Sequence, residues 1–548
     1  MTVQLTINGQ SIEAQAGLSL FDHAELLGID VPTSCRKQGK CKECMVEVVE
    51  GMDALSAVTE PEGHLKGKFR LSCQTTVAAA HGEVRCQTMR RGHMRIERQA
   101  LGLPGNNKAL QLDPAVTRDG DRILIDGVEV DRSTGPIHGI AMDLGTTTVV
   151  LRLIDLESGE LIADTSFENP QRFGGSEVMS RIAYDTDHPG RLLMRTLAGY
   201  LSHAIEAFPV DPNSIYEIVV VGNSTMRDLF FRQNVYSIGQ TPYRSITEIE
   251  MAEGKRTSTS LTETGLRSLL PIHPKARVYG APIISGHVGA DAAAAMLAVD
   301  LAHEERLIAV MDIGTNTELI LGNRHRILAA SCPAGPAFEG GAIACGMPAL
   351  DGAIESFAIG GEGQFLLGVI GDVAPQGICG SGLVDVMSEL LRTGAMNERG
   401  RFEDDVHRIN LYRNQTRDVF LLESDVNELA QAKGANVAGL HVVFSSYGID
   451  FDELDVFYLA GGFGRNLNVE SSRRIGLIPS LPPSRIVQAG NIAIEGATIA
   501  LLSKTKRQEL EELVKKVEHC RLETHPAFFD FFVEGCQFKP VEPMPCAN

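Results

Sequence analysis

The 548-residue chain has no run of about 18 apolar residues, so no membrane-spanning helix is expected. Its first residues alternate like a strand and lack a basic segment followed by an apolar stretch, so no signal peptide is expected. It also lacks an excess of positive charge. With 50 Lys/Arg against 70 Asp/Glu the net charge is −20, which argues against nucleic acid as a partner. Cysteine is sparse, at 11 residues, and scattered, which excludes a disulfide framework and points to the reducing cytoplasm. What is present suits a large soluble protein. Hydrophobic residues make up 43%, and the length suits about three or four domain-sized units. The charge is uneven: residues 1–92 carry 10 Lys/Arg against 11 Asp/Glu, leaving −19 of the −20 on the rest.

Four of the cysteines form a pattern. Cys35, Cys41 and Cys44 read Cys-x5-Cys-x2-Cys, and Cys73 follows alone after Arg70, Leu71 and Ser72. A zinc site would need a second close cysteine pair or a histidine pair, and none follows Cys44. One tight thiolate loop plus one distant thiolate suits a 2Fe–2S cluster. The five-residue first gap resembles the adrenodoxin and putidaredoxin branch of the 2Fe–2S ferredoxins. The flanks agree. Residues 3–7 alternate as a half-buried strand, Asn8-Gly9 signals a hairpin, and residues 11–14 can return. Ser19 can cap a short helix through Leu27, and residues 46–49 read as another strand. That order is expected of a β-grasp ferredoxin domain over residues 1–92.

The cysteine loop departs from the glycine-rich loops of ferredoxins. Only Gly39 is small, and Arg36, Lys37, Lys40 and Lys42 surround it. These cations could raise the cluster potential or dock an acidic partner; alternatively they are ordinary solvated charges. Cys86, Cys332, Cys345 and Cys379 read as quiet free thiols. Cys520, Cys536 and Cys546, at separations of 16 and 10, match no compact second cluster motif. Residues 93–137 are expected to be a linker with little core, one small hairpin near residues 123–130, and freedom to swing.

The remainder, residues 138–548, contains a repeat. Met142-Asp143-Leu144-Gly145-Thr146-Thr147-Thr148 matches Met311-Asp312-Ile313-Gly314-Thr315-Asn316-Thr317. Each copy reads as a buried strand ending in Asp, a tight Gly-Thr turn and a second strand. Two such lobes, at about 138–300 and 301–548, imply a cleft between them. Gly145 and Gly314 let a phosphate approach the backbone, and Thr146, Thr147, Thr315 and Asn316 add donors. Asp143 and Asp312 are placed to hold Mg2+ through water or to orient an attacking water. A third strand, residues 456–460, ends in a turn containing Gly461, Gly462 and Gly464, flat enough for adenine or ribose.

Together these segments resemble the ATPase superfamily of acetate and sugar kinases, heat-shock chaperones and actin. With the 2Fe–2S region in the same chain, the whole resembles the reductive activators of corrinoid-dependent proteins. Glycine-rich segments at residues 221–226, 285–291, 334–340, 377–385 and 490–491 strengthen the match. The resemblance implies a multidomain α/β fold, a β-grasp ferredoxin plus a duplicated actin-like ATPase. It implies ATP, Mg2+ and a 2Fe–2S cluster as cofactors, and passage of one electron to Co(II) to regenerate Co(I) for methyl transfer. The implied partners are a corrinoid protein of a methyltransferase system and an external electron donor, since no flavin or nicotinamide site is evident; a homodimer is left open. Several such activators carry a middle domain where this chain has only residues 93–137. The alternatives are a small-molecule kinase, an electron-transfer activator of another metalloenzyme such as a dehydratase, and a redox-sensing chaperone-like module.

Overall fold

Alternation of Val3, Leu5 and Ile7 buries one face of β1 (Val3–Ile7). Asn8 and Gly9, both at positive φ, then turn the chain into antiparallel β2 (Gln10–Glu13). Ser19 and Asp22 cap α1 (Leu20–Leu26) reciprocally, and Leu20, Phe21 and Ala24 face inward. β3 (Met45–Glu50), β4 (Phe69–Leu71) and β5 (Gly82–Thr88) complete a sheet in the order β2-β1-β5-β3-β4, with β1 parallel to β5. This is the β-grasp arrangement, and its cysteine loop joins α1 to β3. The computed structural model describes residues 3–542 apart from 16, 90–102, 104–109, 372, 404–405, 415–416 and 463–465.

The expectation of a freely swinging linker needs correction over its second half. Residues 116–132 form a three-stranded antiparallel sheet of β6 (Val116–Asp119), β7 (Arg122–Ile125) and β8 (Val128–Arg132). Val116 and Ile123 are fully buried in the core shared with the lobes, and burying such a side chain is worth about 1.5–3 kcal/mol. The Asp113 backbone bonds to Leu502 and Lys504, and its carboxylate accepts from the Thr505 hydroxyl at 2.7 Å. Asp131 accepts from the Tyr216 hydroxyl at 2.7 Å. These contacts fasten the sheet to its neighbours.

The two sheets that follow share one plan. In lobe one, β9 (His138–Leu144), β10 (Thr148–Asp155) and β11 (Leu161–Glu168) form a meander. α2 (Val178–Asp187) and α3 (Leu192–Glu206) lead to β12 (Ile215–Val221), parallel to β9, and α4 (Ser224–Phe230) follows. β13 (Leu261–Thr264) and β14 (Arg277–Gly280) complete the order β11-β10-β9-β12-β14-β13. After α5 (Ala290–Ala298), lobe two repeats the meander with β15 (Ile308–Ile313), β16 (Thr317–Asn323) and β17 (Arg326–Cys332). α6 (Gly380–Thr393) and α7 (Glu423–Tyr447) precede β18 (Val456–Ala460) and β19 (Ile486–Gly490), which take the places of β12 and β14. α8 (Ile492–Leu502) and β20 (Val517–His519) follow, giving the order β19-β18-β15-β16-β17-β20.

The lobes meet on α5 and α8. Their residues share one core with Val219 of β12, Val310 of β15 and Tyr458 of β18. The helices approach so closely that a Cβ on Gly496 would lie 2.0 Å from the Ala294 carbonyl oxygen. Among the described residues, no helix is long and apolar enough to cross a membrane.

Candidate functional site

The cysteine loop brings its four thiols together in two pairs. Cys35 lies within hydrogen-bond reach of Cys41, and Cys44 within reach of Cys73. Two pairs are what two irons sharing two sulfides require. Backbone N–H groups of Gln38, Lys40 and Cys41 point to Cys35, that of Gly39 points to Cys73, and the Gln74 amide donates to Cys73 at 3.4 Å. The donor set fits a 2Fe–2S cluster. The scarcity of glycine is met in an unusual way: Arg36, Lys37 and Lys42 themselves adopt positive φ, at a cost of about 1–2 kcal/mol each.

The loop is less basic than its sequence. Lys37 is paired with Asp22 at 2.6 Å and Glu25 at 2.7 Å, and its ammonium lies over the Phe21 ring. Lys42 donates to the Pro61 carbonyl at 2.5 Å. Burial pushes the Lys42 ammonium below the usual lysine range, against the pull of the cluster cysteines. Arg36 and Lys40 remain exposed.

Both Gly-Thr turns open on one interlobe cleft of about 240 Å³, lined by Asp143, Gly145, Thr146, Thr147, Asp312, Gly314, Thr315, Asn316, Gly461 and Gly462. All the candidate nucleotide residues therefore converge except Gly464, which lies outside the described residues. A Cβ on Gly145 would meet the Thr148 carbonyl at 2.6 Å, so the turn needs glycine; Gly462 faces open space. The Thr147 hydroxyl lies 2.9 Å from that of Thr315, so the two turns touch across the cleft.

Several cleft residues escaped the sequence reading as individuals. Glu339 accepts from the Thr147 hydroxyl at 2.8 Å and also from Thr315. Asn223 donates to the Thr146 hydroxyl, and Asn491 to the Asp143 carboxylate, each at 2.8 Å. Asp291, at the start of α5, and Glu318, on β16, add two more carboxylates. Asn223, Asp291, Glu339 and Asn491 come from the glycine-rich segments at 221–226, 285–291, 334–340 and 490–491; those segments were the available signal.

Acidity dominates the cleft. Among the described residues, Arg152 is the only Lys or Arg lining it, and it is paired with Glu495 at 2.6 Å. Burial pushes Asp143 up to about 6, with the Asn491 amide opposing. Burial, then the charges of Asp143, Asp291 and Glu339, pushes Asp312 up to about 8. Asp291 and Glu318 are raised for the same reasons. Such a set is short of a cation. No three of these carboxylates bring ligand atoms within 4.8 Å of one another.

Comparison with known proteins agrees with both halves. Residues 5–78 match the 2Fe-2S iron-sulfur cluster binding domain, 138–304 the RACo middle region, and 306–547 the C-terminal domain of RACo, the ASKHA domain. The chain is 33% identical over 448 residues to a corrinoid activation enzyme, RamQ, of Eubacterium limosum, covering 76% of this chain and 73% of the relative. It belongs to the RACo family of corrinoid activators. A [Co(II) methylated amine-specific corrinoid protein] reductase of Methanosarcina barkeri is 25% identical over 433 residues, 72% of this chain and 76% of the relative. A solved structure of a reductive activator for corrinoid, iron-sulfur protein superposes with a TM-score of 0.73 at 25% identity, covering 100% of each chain. The family match also corrects the idea of a middle domain missing at residues 93–137: the RACo middle region corresponds to residues 138–304, which form lobe one.

Proposed function

We propose that this protein activates a corrinoid protein by ATP-dependent one-electron reduction of its Co(II) to Co(I), restoring it for methyl transfer. The observation that carries the reading is a four-thiol cradle docked on one lobe of a two-lobed acidic cleft. A 2Fe–2S cluster, when bound by Cys35, Cys41, Cys44 and Cys73, supplies the single electron, and an external donor replaces it. Asp143, Asp291 and Asp312 would hold Mg2+ through its waters. Gly145, Thr146, Thr147, Gly314, Thr315 and Asn316 receive the phosphates of ATP, and Gly461 and Gly462 face its nucleoside. Within this scheme residues 1–92 are the electron-delivery unit and 138–548 the nucleotide-binding unit. Residues 110–137 are fastened to lobe one through Asp131 and to the end of α8 through Asp113, and the free cysteines suit a cytoplasmic setting.

The energetic requirement is modest. Ordinary 2Fe–2S clusters lie near roughly −400 mV, and an uphill gap of about 100 mV costs roughly 2.3 kcal/mol for one electron. Coupling between sites typically supplies about 1–3 kcal/mol. Under anaerobic conditions, Cys41→Ala should abolish Co(II) reduction, followed by corrinoid absorbance, while nucleotide binding persists. Reduction retained in that variant would refute the electron-transfer role.

A further inference from the structure

The cluster loop carries a buried acid that is not a ligand. Glu43 stands between Cys41 and Cys44 and is 5% exposed. Its carboxylate accepts from the Ser34 hydroxyl at 2.6 Å and lies 3.2 Å from Nε2 of His203 on α3. Its carbonyl accepts from the Tyr200 hydroxyl, also on α3, at 2.7 Å. The helix is shaped for this: a Cβ on Gly199 would lie 2.8 Å from the Glu43 side chain. Burial opposes the charge on Glu43, but the His203 and Ser34 bonds outweigh it and hold the carboxyl below its usual range. Met45 and Met89 add apolar contact by entering the core of lobe one.

The same part of lobe one also braces the first Gly-Thr turn. Asn169 donates through its backbone to the Thr147 carbonyl at 2.7 Å and through its amide to the Gly145 carbonyl at 2.8 Å. It caps the Pro170–Gly174 turn. Arg172 of that turn lies 3.7 Å from Glu47 of the cluster domain, and Phe173 packs edge-on to His64. Arg181 on α2, fully buried, donates to the Thr146 carbonyl at 2.6 Å. One turn later, Tyr184 donates to the His64 carbonyl at 2.8 Å. Residues 169–203 thus touch the first Gly-Thr turn on one side and the cluster domain on the other. The cluster domain also meets lobe two, where the hairpin tip at Gly9 lies against Gln376.

We propose that Glu43 is the positioning residue through which α3 of lobe one grips the cluster loop, and that this grip follows the state of the first Gly-Thr turn through residues 169–203. The inference rests on the ATP-coupled reading above and deepens it. Nucleotide entering at Gly145 and Thr146 pulls on Asn169 and Arg181, and α2 and α3 carry that displacement to Glu43.

The test uses the full-length, cluster-loaded protein and replaces groups on α3 rather than a cluster cysteine or a cleft residue. In Tyr200→Phe/His203→Leu, the cluster's visible and EPR spectra and ATP hydrolysis should match wild type. ATP stimulation of Co(II) reduction should fall at least about fivefold, the lower end of coupling between sites. His203→Gln, which keeps a side-chain donor, should restore it. Hydrogen exchange of residues 34–45 should respond to ATP with Mg2+ in wild type and in His203→Gln, but not in the double variant. Full stimulation and an unchanged exchange response in the double variant would overturn the proposal. If wild type showed no ATP stimulation, the functional reading would fail, and the exchange response would still decide the coupling.

Discussion

The two Gly-Thr turns share a sequence pattern and a strand plan, yet they are braced differently. The first, at residues 145–147, is held from behind by Asn169, Arg181 and Asn223. The second, at residues 314–316, is tied through the Thr315 carbonyl to the Gly335 N–H, and through the Thr315 hydroxyl to Glu339 and, across the cleft, to Thr147. Their aspartates differ as well. Asp143 accepts from the Asn491 amide and is pushed up to about 6; Asp312, which has no such donor among the described residues and faces three carboxylates, is pushed up to about 8. The first copy of the duplicated loop is a mechanical half that backs onto the cluster domain; the second, with the more strongly raised carboxyl, is proposed as the chemical half.

Replacing the chemical half should have the largest effect. Asp312→Asn should lower ATP turnover at least about 100-fold, read by phosphate release; near-normal turnover would deny Asp312 a role in the reaction. Breaking the mechanical half should act on stability. Arg181→Met leaves the Thr146 and Gly175 carbonyls without their buried donor and should cost about 2–3 kcal/mol in denaturant titration. A loss below about 0.5 kcal/mol would show that the brace is not structural.

The third test is pH. Asp143, Asp291 and Asp312 all have folded pKa values above their unfolded values. Between pH 6 and 8 these three groups therefore bind more protons in the folded protein than in the unfolded chain, and their own contribution to stability falls as pH rises. His64, His441, His519 and Lys433, all held below their usual ranges by burial, contribute in the opposite sense. The cleft's share is read by comparison: from pH 6 to pH 8 the melting temperature of nucleotide-free wild type should change by a few degrees less favourably than that of Asp312→Asn, and Mg2+ with nucleotide should narrow the difference. An identical pH dependence in the two proteins would contradict the acidic-cleft account. The smallest effect belongs to Glu339, which places a carboxylate between the two threonines. Glu339→Gln should tighten nucleotide binding by about two- to fivefold, since a lost like-charge contact near 1 kcal/mol suffices; weaker binding in calorimetry would make Glu339 a partner of the nucleotide instead.

The parts legible in the sequence were local patterns. The spacing of Cys35, Cys41 and Cys44, the Asn8-Gly9 turn, the capped α1 and the repeated Asp143 and Asp312 strands each carry their signal within about ten residues. The cleft's other groups do not. Asp291, Glu339 and Asn491 come from separate segments of the chain and meet Asp143 and Thr147 only because the lobes close on α5 and α8. The cluster loop misled in the opposite direction: its four cations suggested a basic docking face, but Asp22 and Glu25 of α1 neutralise Lys37, and Lys42 turns inward to Pro61. The connector misled because Val116 and Ile123 are too few to announce a core, and the lobes supply the rest of it.

The central claim is that nucleotide in the cleft drives electron delivery from the cluster domain. It is tested most directly by anaerobic rapid mixing of the reduced, cluster-loaded protein with a Co(II) corrinoid protein, with and without Mg2+ and ATP. The account predicts that Co(I) absorbance appears at least about fivefold faster with ATP. Equal rates and equal extents of reduction in the two samples would contradict it.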